Sequence, residues 1–127
     1  MSERGAEPHL PHAAPIDAYG AGGFRFAGMS HRGSLLCLPA GVWAWPVAGP
    51  HEIDAAALAP VFAAAGEIDF FLLGTGRDSW VMPEALRRRF RDANVSADAM
   101  TTGPAIRTYN ILLGERRRVA AGLIAVD

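Results

Sequence analysis

From residue 68 to the end of this 127-residue chain, apolar runs of strand length alternate with apolar stripes of helical spacing. No other feature of the sequence narrows the fold as much. Residues 68–73 are apolar except for Asp69, as a strand covered on both faces must be. After residues 74–81, Pro83 suits a first helical turn. Met82, Leu86, Phe90 and Ala93 then recur at helical spacing, with arginines opposite them. Residues 95–100 read as a short strand. Thr101 or Thr102 caps the next helix, whose buried face is Ala105, Ile106, Tyr109, Leu112 and Leu113 and which Gly114 ends. Residues 119–126 form a second buried strand. Strand, helix, strand, helix, strand predicts right-handed crossovers in a largely parallel sheet, so the class is α/β.

The N-terminal half reads differently. Phe24 and Phe26 flank Arg25, which predicts a half-buried strand beginning near Gly23. A turn at 28–33 leads to an apolar strand at 35–38. A third strand at 42–47 places Trp43, Trp45 and Val47 on one face, with Pro46 marking it as an edge. These three are expected to form a meander. Asp54 can cap a helix reaching Ala65 that Pro60 must kink or restart, and Gly66 closes it. Residues 1–15, with Glu3, Glu7 and three prolines, read as a disordered solvated tail ahead of a single domain at 16–127. That tail resembles neither a secretory signal nor a mitochondrial presequence, and a cytoplasmic location is the expectation.

Several classes of function are disfavoured. Net charge is −1, so a globally basic nucleic-acid binder is not expected. The single cysteine, Cys37, can build neither an internal disulfide nor a multi-cysteine metal site. No run approaches the roughly 18 apolar residues of a membrane span. His9 and His12 lie in the tail and His31 and His51 in loops, without metal-ligand spacing. Ser79 lacks the G-x-S-x-G elbow of a nucleophile. Cys37, inside an apolar strand, reads as a small core residue, and Trp43 and Trp45 read as core. No catalytic residue, metal or cofactor is implied.

Two constellations stand out. Gly74-Thr75-Gly76-Arg77-Asp78-Ser79 leaves a buried strand, where open α/β sheets hold ligands. It is a G-x-G-x-x-G with Ser79 at the third glycine, and Asp98 stands about where a ribose-binding acid would. Val81, Met82 and Pro83 delay the helix, however, so its N-terminus cannot lie under the glycines, and a tight turn is the better reading. Arg107 lies in the second turn of the last helix, where side chains lean toward the N-terminus. It is expected to reach Asp78 or Asp98 and stitch the loops together. In the other reading it joins the backbone amides around Thr75 and Thr102 to bind a small anion.

The second constellation is the run Arg87, Arg88, Arg89 and Arg91, with Arg116, Arg117 and Arg118 expected at the same end of the sheet. A solvated helix face explains the run. The functional reading is a basic patch that meets an acidic protein partner or, peripherally, lipid headgroups.

The segment Met100-Thr101-Thr102-Gly103-Pro104-Ala105-Ile106-Arg107-Thr108-Tyr109-Asn110-Ile111-Leu112 resembles the family of the mitochondrial respiratory complex I assembly factor 3 and its small bacterial and archaeal homologues of unassigned function. Phe71-Leu72-Leu73-Gly74-Thr75-Gly76 and the run from Glu115 to Ile124 resemble it too, as do the Phe24-Arg25-Phe26 and Val42-Trp43-Ala44-Trp45 strands. The resemblance implies a three-layer α/β domain around a mixed sheet, the first strands forming a smaller additional layer. It implies no catalytic activity, and action through protein contacts. Thr101 stands where that family often has an acid or serine, and Ile106 where it often has a cysteine. Neither position then carries essential chemistry here. The expected function is a non-catalytic interaction or assembly-factor-like module. The alternative is a small-anion binder or enzyme with its site at Gly74–Gly76 and the Arg107 helix.

Overall fold

The computed structural model describes residues 7–127. In chain order the elements are β1 (Ala18–Gly20), β2 (Gly23–Phe26), β3 (Met29–Arg32), β4 (Leu35–Leu38), β5 (Gly41–Ala44), α1 (Ala59–Ala63), β6 (Phe70–Gly74), α2 (Glu84–Asp92), β7 (Ser96–Met100), α3 (Thr102–Gly114) and β8 (Val119–Leu123). The last five are the expected strand, helix, strand, helix, strand. β6 pairs in parallel with β7 on one side and with β8 on the other. The chain therefore steps outward from β6 to β7, then back across β6 to β8. Crossovers of one hand moving in opposite directions must lie on opposite faces of the sheet.

The packing bears this out. On one face, Leu86 and Phe90 of α2 and Val61 of α1 pack with Leu36, Leu38, Phe71 and Leu73. On the other, Ala105, Ile106 and Tyr109 of α3 pack with Leu35, Cys37, Leu72, Ala121 and Leu123. Neighbouring residues of β4 and β6 thus feed opposite cores, which is why neither strand shows polar alternation. Phe24 and Phe26 of β2 join the α3 side, so a small antiparallel sheet, β1-β2-β3, extends that layer. The protein is α/β, with a five-stranded mixed sheet in the order β5-β4-β8-β6-β7.

The expected meander is not formed. β2 belongs to the small sheet, whereas β4 and β5 pair with each other and β4 joins β8. Residues 28–33, expected as a turn, contain β3. The turn is Ala27-Gly28, where both residues have positive φ (50° and 76°) and fold β3 back onto β2. β1 was not anticipated either. β5 is an edge strand as expected, but it ends at Ala44, so Pro46 lies beyond it. Trp43, Trp45 and Val47 nevertheless all enter the same core.

Helix ends also differ in detail. Asp54 does accept from the Ala57 N–H at 2.8 Å, but it caps a turn, and Pro60 restarts the chain as the short α1. A 3-10 turn, Ala65–Glu67, follows in place of a simple stop at Gly66. α3 is not terminated by a left-handed glycine. Arg116 takes that conformation (φ 63°), with the Arg117 N–H donating to Leu112 and the Arg116 N–H to Leu113. Asn94 (φ 60°) ends α2 in the same way.

The described part of the expected tail, residues 7–15, is docked. Leu10 bridges to Val42 on the outer edge of β5, and Ala14 is buried, its carbonyl accepting from the Tyr109 hydroxyl at 3.1 Å. A polar, proline-rich segment can be held this way because a finished edge strand offers it free backbone groups. Residues 1–6 lie outside the described residues.

Candidate functional site

β6 and β7 send their chains to opposite faces, so the crevice beyond their C-terminal ends is the topological switch point, the usual ligand position in an open α/β sheet. The register Gly74↔Met100 and Gly74↔Leu123 brings the Gly74 loop, the Thr101-Thr102 turn and the end of β8 together there, as the sequence led us to expect. Hydrogen bonds tie these segments together, and a shallow cavity of about 240 Å³ remains beside them, lined by Thr75, Gly76, Arg77, Asp78 and Ile124. The Thr102 hydroxyl, fully buried, donates to the Ile124 carbonyl at 2.7 Å and accepts from the Gly76 N–H at 2.9 Å. The Thr102 N–H donates to the Gly76 carbonyl at 3.0 Å, and the Ile124 N–H to the Gly74 carbonyl at 2.9 Å. Thr75 is also buried. Its N–H donates to Met100 at 2.8 Å and its hydroxyl to the Asp78 carbonyl at 2.7 Å.

Glycine is needed at both loop positions. A Cβ on Gly74 would stand 3.1 Å from the Thr102 Cα, and Gly76 has φ 90°. The amides of Thr75 and Gly76, which the anion reading of this loop requires, are thus already bonded within the protein. Thr102, expected as a cap, directs its hydroxyl to these loops instead, and Thr101 precedes α3 with no side-chain cap bond.

Of the other residues expected here, the structure brings none into the crevice by its side chain. Asp78 contributes only its carbonyl, and Asp98 is exposed on the edge strand β7. Arg107 is exposed and has no hydrogen-bond or ion-pair partner among the described residues. It lines a shallow cavity of about 400 Å³ with Asp17, Tyr19, Gly103 and Asn110. The stitching role therefore belongs to threonine hydroxyls and backbone, and not to Arg107. The lean of a helical side chain toward the N-terminus sets only one component of its direction. The rotation of α3, fixed by Ala105, Ile106 and Tyr109, turns Arg107 toward β1. Replacing Arg107 by alanine is expected to leave the unfolding free energy, measured by urea titration, within about 0.5 kcal/mol of the parent.

The turns after α2 and α3 share the other end of the sheet, where Ser96 and Val119 both lie beside Phe70, whereas Arg87 and Arg91 reach back to Met82 and Glu84 at the start of α2. Several of the arginines are engaged. Arg118 grips Asp69 with Nη2 at 2.7 Å and Nε at 3.2 Å, which holds the Asp69 carboxyl below the usual carboxylate range. Arg117 lies 4.8 Å over the Phe70 ring, Arg89 lies 4.5 Å over Phe62, and Arg91 pairs with Glu84 at 2.9 Å. Arg87 reaches the Met82 carbonyl at 3.3 Å. Arg88 and Arg116 have no hydrogen-bond or ion-pair partner among the described residues.

Two residues that sequence reasoning left as ordinary prove architectural. Asn110 clamps Ile16, its Oδ1 accepting from the Ile16 N–H at 2.9 Å and its Nδ2 donating to the carbonyl at 2.8 Å. With Tyr109 it ties the N-terminal segment to α3. An asparagine inside a helix, where it is a poor former, is the available signal. Tyr109 also lies against Cys37, and burial pushes the Cys37 thiol up to about 12, which suits a core residue and not a nucleophile.

The fold and this site define a doubly wound α/β protein whose switch-point loops are tied together by its own threonines and backbone. Residues 16–124 match the family described as "Protein of unknown function (DUF498/DUF598)", and the chain belongs to that family. It is 42% identical over 118 residues to an uncharacterised protein of Rhodobacter capsulatus, covering 93% of this chain and 90% of that one. It is 26% identical over 109 residues to the NADH dehydrogenase [ubiquinone] 1 alpha subcomplex assembly factor 3 of Danio rerio. That match covers 86% of this chain and 63% of the relative's length. Among solved structures, the Rpa2829 protein of Rhodopseudomonas palustris is 59% identical with a TM-score of 0.84, covering 99% of this chain and 93% of that one. A Bartonella henselae chain described as an outer membrane protein is 46% identical with a TM-score of 0.90, covering 94% and 100%. Among the described residues of the present chain, no helix is long and apolar enough to cross a membrane. The resemblance to the assembly-factor family is therefore established over most of the chain.

Proposed function

We propose that this chain is a non-catalytic, cytoplasmic interaction module that works, like the assembly factor it resembles, by holding a protein partner. The observation that carries this reading is the occupied switch point: the amides and hydroxyls of Thr75, Gly76 and Thr102 are taken up by bonds within the protein, to Met100, Asp78, Ile124 and each other. The partner presents an acidic face to the exposed arginines of α2 and of the turn after α3, among which Arg88 and Arg116 have no hydrogen-bond or ion-pair partner among the described residues. One observation favours a second reading, a small anion bound elsewhere: Arg107, without a hydrogen-bond or ion-pair partner among the described residues, lines a cavity with Tyr19 and Asn110.

The test is affinity capture from the native lysate with the full chain, run beside a metabolite thermal-shift screen. The interaction reading expects a stoichiometric partner that is lost on Arg88→Glu with Arg116→Glu and kept on Arg107→Ala. Absence of any partner, together with an anion-induced thermal shift abolished by Arg107→Ala, would replace it with the second reading.

A further inference from the structure

The N-terminal segment lies on the outer edge of β5. The His9 N–H donates to the Val42 carbonyl at 2.8 Å, and the Val42 N–H donates to the Leu10 carbonyl at 3.0 Å. Leu10 packs, half-buried, against the core on the α3 side. The same segment touches an ionisable ring of the fold. The imidazoles of His9 and His31 stand 4.6 Å apart, centroid to centroid, tilted by 47°.

His31 lies on β3 and is half-buried, its Nε2 3.2 Å from the Ser34 carbonyl. A ring donating there carries no proton on Nδ1, so acid adds one and makes the ring cationic. The surroundings do not welcome that charge. β2 places Phe24 opposite His31, the turn after β3 brings the Ser34 carbonyl, and the N-terminal segment brings the second imidazole, His9. Burial, with His9 adding to it, holds His31 below the ordinary histidine range against the opposing pull of Ser34. The segment's other titratable groups, Glu7 and His12, are exposed, and His12 bonds the neighbouring Ala13 carbonyl.

We propose that the His9–His31 contact is an acid-released latch, whose protonation lifts residues 7–12 from β5 and uncovers the Val42 edge for an extended strand of a partner protein. The docked state binds fewer protons than the released one. It is therefore stable above the ordinary histidine range and loses ground as pH falls through it. Release stops at residue 13, because the Tyr109 bond to Ala14 and the Asn110 clamp on Ile16 contain no group that titrates in that range. What release exposes is one N–H and one C=O of an edge strand, already shown by the segment itself to accept an extended backbone with an apolar side chain. The latch goes beyond the interaction reading, and its failure would leave that reading standing.

The experiment is amide hydrogen exchange by NMR on the full chain at about pH 7.5 and about pH 5, each rate divided by its intrinsic value at that pH. Protection at His9 and Val42 is expected to fall several-fold in acid, while Ile16 is unchanged. His31→Phe, which keeps a ring, removes the pH dependence, and the exposed-site change His9→Gln reduces it even if His31→Phe folds poorly. The proposal is overturned if Val42 protection is the same at both pH values, or if His9→Gln behaves as the parent does.

Discussion

Replacing Trp45 by alanine is expected to cost about 3–5 kcal/mol of stability, the usual range for truncating a buried tryptophan. The melting temperature should fall by on the order of 10 °C or more. Trp45 is 4% exposed, and its Nε1–H donates to the Ala57 carbonyl at 3.0 Å, joining the end of the sheet to the residues before α1. Its six-membered ring occupies the place where Gly122 of the interior strand β8 would carry a Cβ, 2.8 Å from one ring carbon. Truncation therefore opens a cavity between sheet and helix layer and frees a carbonyl. Gly122→Ala alone should cost about 1–3 kcal/mol by overpacking. In the Trp45→Ala background the added methyl has room, so the double variant should be less destabilised than the sum of the singles. Urea unfolding followed by circular dichroism measures all three. Additive losses, or a Trp45→Ala loss below about 1 kcal/mol, would show that the indole does not occupy this space.

The second large effect is at the switch point. Thr102→Val keeps the shape of the side chain and removes its hydroxyl, leaving the Gly76 N–H and the Ile124 carbonyl without their partner in a buried place. The expected loss is about 2–4 kcal/mol, most of it the cost of two stranded polar groups. Thr102→Ser retains the hydroxyl and should lose less. Equal stabilities of the valine and serine variants would mean that water reaches the crevice and replaces the bonds, and the switch point would then be open to a ligand after all.

The clearest patterns in the sequence were those whose cause lies within the element itself. Phe71 and Leu73 against Leu72, or Leu86 and Phe90 on α2, carry their burial in their spacing, because a strand or helix has a fixed period. The order of those elements then restricted the crossovers, and with them which loops share an end of the sheet. The resemblance at residues 100–112 marked the same region, although two residues of its Arg-Thr-Tyr-Asn core are architectural: Tyr109 and Asn110 hold the N-terminal segment.

The misreadings share a different cause. β4 resembles a meander strand until β8 arrives, and Leu35 meets Leu123 only after the chain has crossed the sheet twice. Residues 7–15 read as a solvated tail because their partner, the free edge of Val42, exists only once β5 has formed. A threonine before a helix reads as a cap, yet Thr102 is recruited by Gly76 and Ile124, which are distant in sequence. Arg107 was given its height along α3 but not its bearing, which depends on how the helix rolls onto the sheet.

By itself, then, the sequence determined the α/β class, the parallel core of β6, β7 and β8 and the glycines of the switch-point loop. Each follows from covalent periodicity and chain order. The tertiary structure alone decided the division of the N-terminal strands between two sheets, the bonding of the switch-point loops through Thr102, the direction of Arg107 and the docking of residues 7–15. Each of these is a pairing between groups far apart in the chain, chosen by which hydrogen-bonding groups and which surfaces remain unmatched once the local elements have formed.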